Sequence, residues 1–271
     1  SYKKTKSTFD MKNIIYLIAF LFCSMGQAQQ LETNNAFQSK DSLKLAYQSK
    51  KNLAKLSLSS LLVGNIHLQY ERILNRKISV AIAYSTIPES SIPFQVTVQN
   101  YIDDEATYEK LNELQISYSS VTPEIRFYLS KKGYGKGFYL APFYRNTTFS
   151  LNGVSFSYEN EQGAMSNIKT SGSFKSNSFG LLIGTQFNLG KSVVLDWWII
   201  GPHFGSISGS LNGRSMQLFS DLEQMTLRSE LSVLDFPIVE EEILVTNQEV
   251  KLDIDSPWGN IRAGLTIGYR F

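Results

Sequence analysis

The sequence predicts an all-β fold, an eight-stranded antiparallel up-and-down barrel, and three observations lead there. Eight segments alternate apolar and polar residues with a period of two, the signature of a strand with two unlike faces. The connections between them alternate strictly between short and long. Apart from one apolar run near the start, nothing approaches the ~20 consecutive apolar residues that a membrane-spanning helix needs. The last segment is the clearest. Ile261, Ala263, Leu265, Ile267, Tyr269 and Phe271 fall on one face of a strand, and Arg262, Gly264, Thr266, Gly268 and Arg270 on the other.

Before the first strand the chain divides into three parts. Residues 1–10 precede a natural-looking start at Met11 and are read as an upstream extension. Residues 11–28 have the form of a secretory signal peptide: Lys12, the apolar run Ile14 to Phe22, and a small-residue cleavage site at Gly26-Gln27-Ala28. The single cysteine, Cys23, lies inside it; a lipid-acceptor role is the alternative, against which Phe22 stands where a small residue is required. Its removal would leave a mature chain with no disulfide, no thiol chemistry and no cysteine-based zinc site. Residues 29–53 are polar and are read as a periplasmic leader, with a short helix near 42–48.

The barrel is assigned to residues 54–271. Its strands are placed at Ala54–Leu62, Ile66–Leu74, Ile78–Ile87, Ile116–Leu129, Phe138–Phe149, Phe179–Leu189, Val193–Phe204 and Ile261–Phe271. Val63-Gly64-Asn65 is read as a tight hairpin turn. Residues 75–77, 130–137 and 190–192 are the other short connections; 88–115, 150–178 and 205–260 are the long ones. Bacterial barrels have short periplasmic turns and long outer loops. A chain entering from the periplasm satisfies that pattern with an even number of strands, and eight is favoured over seven.

Several short motifs carry a resemblance. Leu68-Gln69-Tyr70-Glu71-Arg72, Thr122-Pro123-Glu124-Ile125-Arg126-Phe127-Tyr128 and Gly137-Phe138-Tyr139-Leu140-Ala141-Pro142-Phe143 are joined by Ile200-Gly201-Pro202 and Arg262-Ala263-Gly264-Leu265. The pattern resembles the small OmpA/OmpX-type eight-stranded barrels of the porin-like superfamily. More closely, it resembles a family of uncharacterised outer-membrane β-barrel proteins of Gram-negative bacteria. The resemblance implies a transmembrane β-barrel with long extracellular loops, sited in the outer membrane. It further implies that Leu265, Ile267, Tyr269 and Phe271 form a C-terminal signal read by the barrel-insertion machinery. About activity it implies nothing.

On that reading the apolar stripes face lipid: Ile66, Leu68 and Tyr70; Ile78, Val80, Ile82 and Tyr84; Val121 through Leu129; Phe179 through Leu189; and Val193, Leu195, Trp197 and Ile199. A charge turned to lipid would cost ~2–4 kcal/mol for each Arg or Lys at the midplane. The lumen therefore receives Glu71, Glu124 and Asp196 together with Arg126, Arg145, Arg262 and Arg270. A barrel of eight strands is only wide enough for its side chains to fill it. A structural plug of ion pairs is expected, with an ion or proton path as the alternative.

Little points to catalysis. His67 and His203 are both expected near the outer rim, and Ser206 follows His203 by three residues, but no motif fixes a nucleophile–base geometry. Acidic groups crowd 103–113 and 240–255, and Asp253-x-Asp255 lacks the pattern of an EF-hand loop. No phosphate-cradling Gly-rich loop, HExxH or CxxC is present, and a net charge of +2 without a basic stripe gives no case for nucleic acid. Met216 to Leu234 is read as an amphipathic helix over Leu218, Phe219, Leu222, Met225, Leu231 and Leu234, followed by extended chain from Ile243 to Ile254. A mean hydropathy of -0.14 suits strands that average a lipid face with a polar one.

The expected role is structural or surface-interactive, with no cofactor and no metal, and no enzymatic activity. Outer-membrane lipid is the expected surround, and the loops 88–115, 150–178 and 205–260 the expected surface for an extracellular partner. A narrow channel or carrier for small apolar solutes is the alternative, and a lipid-modifying enzyme a third.

Overall fold

A computed structural model describes residues 50–91, 113–130, 134–160, 162–232 and 240–271. The expected signal peptide with Cys23, the short helix near 42–48 and the acidic residues Asp103, Asp104, Glu105 and Glu109 lie outside the described residues. The described chain is all-β. Nine antiparallel strands run β1 (Asn52–Ser57), β2 (Ile66–Ile73), β3 (Ile78–Ser91), β4 (Gln115–Tyr128), β5 (Gly137–Glu159), β6 (Met165–Leu189), β7 (Val193–Arg214), β8 (Glu240–Val245) and β9 (Glu249–Arg270). They hydrogen-bond in the order β1-β2-β3-β4-β5-β6-β7-β9-β8, and β1 also pairs with β9, so the sheet closes into a ring. Among the described strands β8 pairs only with β9, over Val250–Asp255, away from the Thr266–Arg270 segment that meets β1.

Three expectations need correction. The first strand does not reach Leu62: it stops at Ser57 and passes into one turn of helix, α1 (Leu58–Leu61). Nor is Val63-Gly64-Asn65 a tight hairpin. The amide of Asn65 bonds Ser60 O and that of Gly64 bonds Leu61 O, with Gly64 at φ 72°, which is a Schellman cap ending a helix. Thirdly, segments 150–178 and 205–260 are not mainly loop. β5 and β6 continue to a turn between Glu159 and Met165, β7 continues to Arg214, and β9 begins at Glu249. The helix expected in the last segment is α2 (Asp221–Ser232), and the extended chain after it is β8 with the first part of β9.

Ser220 and Glu223 explain where α2 starts. The Glu223 carboxylate accepts from the Ser220 amide at 2.8 Å, and the Ser220 hydroxyl accepts from the Glu223 amide at 3.3 Å, a reciprocal capping box. The buried face, however, is Phe219, Leu227 and Leu231, while Leu218, Leu222 and Met225 are exposed. Half of the expected stripe therefore faces out.

The ring has two storeys with opposite polarity. In the lower one the outward face is apolar. On β6 the exposed residues are Phe179, Leu181, Ile183, Phe187 and Leu189; on β7, Val193, Ile200 and Phe204; on β9, Ile261, Leu265, Ile267 and Tyr269. The change of character runs around the wall with small steps between neighbouring strands, since Val121 pairs with Asn146 and Ile66 with Thr86. Tyr84 pairs with Val121, Tyr144 with Phe179, and Phe179 with Phe204. One step further along the strands the outward residues are Thr86, Ser119, Asn146, Asn177 and Ser206. Above that line the wall presents Lys169, Lys175, Lys251 and Asp253 to solvent.

The interior inverts in step. The upper storey encloses an apolar core: Phe174, Leu211 and Leu252, continuing to Ile168, Val245 and Val250 under Phe219, Leu227 and Leu231 beside α2. The lower storey encloses buried charge, described next, and is closed below by Leu53, Ile73 and Val194. One local device sets the phase of β7. An extra residue at Ile199 shifts the register against both β6 and β9, so Trp198 and Gly201 both point inward and Ile200, rather than Ile199, is the exposed residue.

Candidate functional site

The lower interior is a network of three cations and three carboxylates, all buried. β1 turns Lys55 inward between the outward Ala54 and Leu56. Its ammonium lies 2.5 Å from Glu71 Oε2 and 2.7 Å from Asp196 Oδ2, and donates to Gln186 Oε1. The Arg126 guanidinium spans the ring. Nη1 meets Asp196 Oδ2 at 2.6 Å and Glu71 Oε2 at 3.2 Å, while Nε meets Glu124 Oε1 at 2.6 Å. Arg262 Nη1 takes the other oxygen of Glu124 at 2.8 Å. The charges of these six groups balance.

Neutral donors satisfy the remaining lone pairs. Ser79 and Tyr128 donate to Glu71 Oε1 at 2.5 and 2.7 Å, and Tyr139 donates to Asp196 Oδ1 at 2.8 Å. Gln69 bridges, donating to Glu124 at 3.0 Å and accepting from Arg126 at 2.9 Å. Aromatic faces cover the guanidinium groups: Arg126 lies 4.5 Å from the Tyr139 ring centre, and Arg262 lies 4.4 Å from that of Trp198 and 5.0 Å from that of Phe143. These rings need space opposite them. A Cβ at Gly184 would sit 2.4 Å from Tyr139, and one at Gly180 would sit 2.5 Å from Phe143. Buried charges persist only when paired and hydrogen-bonded, and every carboxylate here is both.

Of the residues expected in the lumen, Glu71, Glu124, Arg126, Asp196 and Arg262 are brought together. Arg145 points inward but stands apart, donating to Tyr118 and to Ser120 Oγ; among the described residues it forms no ion pair with a carboxylate. Arg270 is buried at the lower end and donates Nε to Lys50 O at 2.8 Å. Leu265, Ile267, Tyr269 and Phe271 do share the outer face, where the Tyr269 and Phe271 rings stack at 6.4 Å.

Sequence reasoning missed Lys55 and gave Gln186 no part in the charge network. A signal for Lys55 was present: a lone lysine between Ala54 and Leu56 in a strand whose alternation turns it inward. It was obscured because four arginines already outnumbered three carboxylates.

The two histidines are separate and neither meets Ser206. His203 Nδ1 contacts Ser178 Oγ at 2.9 Å while Ser206 faces outward. His67 Nδ1 contacts Ser85 Oγ at 3.1 Å. Among the described residues no group of three His, Cys, Asp or Glu side chains is placed to hold a metal ion, and Asp253 pairs with Lys251 at 2.6 Å.

No family model matches the chain, and neither the curated proteins nor the solved structures contain a match.

Proposed function

We propose that this chain is an integral outer-membrane protein: an eight-stranded transmembrane β-barrel formed by β1 to β7 and β9, with β8 attached outside the circuit. The observation that carries this reading is the apolar belt, which gives way to polar outward residues on strand after strand. Along β6 and β9 the belt is roughly eleven residues long, which matches the ~9–11 tilted residues that cross a hydrocarbon layer. Contiguous exposed apolar surface of this extent has no place on a water-soluble monomer. The paired network of the lower interior then acts as a plug, and the role is structural or surface-interactive rather than catalytic.

The upper storey is the part that would meet an extracellular partner. Among the described residues it is built of sheet and helix, with a soluble-protein polarity of charged outside and apolar inside. The test is expression in a Gram-negative host, followed by membrane fractionation and gel migration with and without boiling. An outer-membrane species that migrates differently once boiled is expected. A folded monomer in the detergent-free soluble fraction contradicts the proposal. In planar bilayers the plugged protein is expected to give no stable conductance steps; steady single-channel steps contradict the plug and favour the channel reading.

A further inference from the structure

Between the charge network and the upper apolar core lies a chamber of about 240 Å³, lined by Arg262, Arg145, His67, Trp198 and the hydroxyls of Ser57, Ser59, Ser60 and Ser85. Among the described residues no acidic side chain lines it. Several buried polar atoms on this lining have no hydrogen-bond partner among the described residues: Arg262 Nε and Nη2, His67 Nε2 and Ser60 Oγ. Such atoms are costly to leave unsatisfied, and arginine nitrogens most of all. Charge points the same way. Among the described residues, and leaving aside Arg270 at the lower rim, the ring interior holds Lys55, Arg126, Arg145 and Arg262 against Glu71, Glu124 and Asp196, and Glu124 is already shared by two arginines. The surplus positive charge falls at Arg145, on the chamber wall.

We propose that this chamber binds a phosphate group, free or at the head of a lipid, between the guanidinium groups of Arg145 and Arg262 and against His67. Arginine suits the task because its planar fork matches oxyanion geometry. The chamber is smaller than the ~300–1,000 Å³ of pockets for drug-sized ligands, so an ion or a headgroup fits and a large solute does not. His67 favours phosphate among oxyanions. Ser85 donates its hydroxyl to Asn65 Oδ1 at 2.7 Å, so the His67 Nδ1 carries the proton in its bond to Ser85 and Nε2 is left to accept. The hydroxyl of a singly protonated phosphate supplies that donor; sulfate at neutral pH has none.

The chamber also has a way in. β1 covers β9 only from Thr266 onward and β8 only up to Asp255, so among the described residues the β9 edge from Ser256 to Leu265 has no strand partner on that side. Helix α1 fills the base of this notch, where Ser59 Oγ accepts from the Leu265 amide at 3.1 Å. The chamber lining runs through the notch to Val63, Ile261 and Ala263, which face out. A headgroup can therefore enter from the side with its chains outside. That lipid source rests on the membrane placement proposed above; the chamber itself does not.

The test uses the full chain folded in a neutral maltoside micelle without phosphate. Radiolabelled orthophosphate and dodecyl phosphate are titrated by equilibrium dialysis, with tryptophan emission as a second readout, Trp198 being the tryptophan on the chamber wall. Saturable orthophosphate binding that dodecyl phosphate does not improve assigns the free ion; at least tenfold tighter dodecyl phosphate assigns a lipid headgroup. In either case Arg145→Gln weakens binding about ten- to a hundredfold, and sulfate competes at least tenfold more weakly than phosphate. Should Arg145→Gln not fold, as judged by gel migration, His67→Phe gives the same comparison. Failure of both probes to saturate overturns the proposal. So do unchanged binding in the folded variants and equal competition by sulfate. Failure of the membrane placement alone would remove only the dodecyl phosphate preference.

Discussion

Lys55 and Gly184 show how few side chains hold the lower interior in shape. Removing one partner of a buried ion pair leaves an uncompensated charge, at a cost of about 3–5 kcal/mol. Lys55→Met is accordingly expected to destabilise the protein by about that amount, because Glu71 and Asp196 both lose their ammonium. Urea unfolding in detergent measures it, and a change within ~0.5 kcal/mol, typical of a surface substitution, contradicts it. Gly184 tests packing rather than charge. Its missing side chain leaves room for the Tyr139 ring, so Gly184→Ala overpacks the interior and is expected to cost about 1–3 kcal/mol. Since Tyr139 holds Asp196, the two variants act on one network and their effects should not add.

At the scale of elements, α2 is the piece whose attachment is most easily separated from the rest. Leu227 is fully buried and Leu222 is exposed on the same helix. Leu227→Ala is expected to cost about 2–5 kcal/mol of upper-storey stability, while Leu222→Ala stays within ~0.5 kcal/mol. Limited proteolysis under native conditions reads this as faster cleavage in or beside α2 for the first variant only; equal cleavage of both would contradict the packing described. This helix also marks how far the sequence was legible. Its existence was readable from the apolar spacing, but that spacing puts its start at Met216, five residues before the Asp221 that the Ser220–Glu223 capping box sets. Its buried face was not, because the chain around it is apolar on more than one side and only contact with Ile168 and Val245 decides which side turns in. Strands told a similar story. Alternation located them through the belt, where one face is uniformly apolar. It faded above Asn177 and Ser206, where Gly172, Ser176, Gly209 and Gly213 interrupt the inward apolar face of β6 and β7, and those stretches read as loops. In the interior, Glu71, Glu124, Arg126, Asp196 and Arg262 were legible from parity alone. Which of them pair depends on ring closure, and closure is a property of register between distant strands.

Over the whole molecule the two storeys divide the labour of burial. Below, a polar interior is matched to an apolar exterior; above, the arrangement is that of a protein in water. A charge placed on the outer face should therefore be costly in one storey and harmless in the other. Ile183→Arg, in the middle of the belt on β6, is expected to cost about 2–4 kcal/mol in a bilayer, whereas Ser173→Arg on the upper part of the same strand should change stability by less than ~0.5 kcal/mol. Unfolding titrations of the reconstituted protein compare them. The most direct measurement is spin labelling of single-cysteine variants in lipid vesicles, with Cys23 replaced. Labels at Leu181 and Phe204 are expected to relax with oxygen and be shielded from a water-soluble nickel chelate, while labels at Lys175 and Ser208 behave the opposite way. Equal access of the chelate to all four positions would contradict a lipid-facing belt.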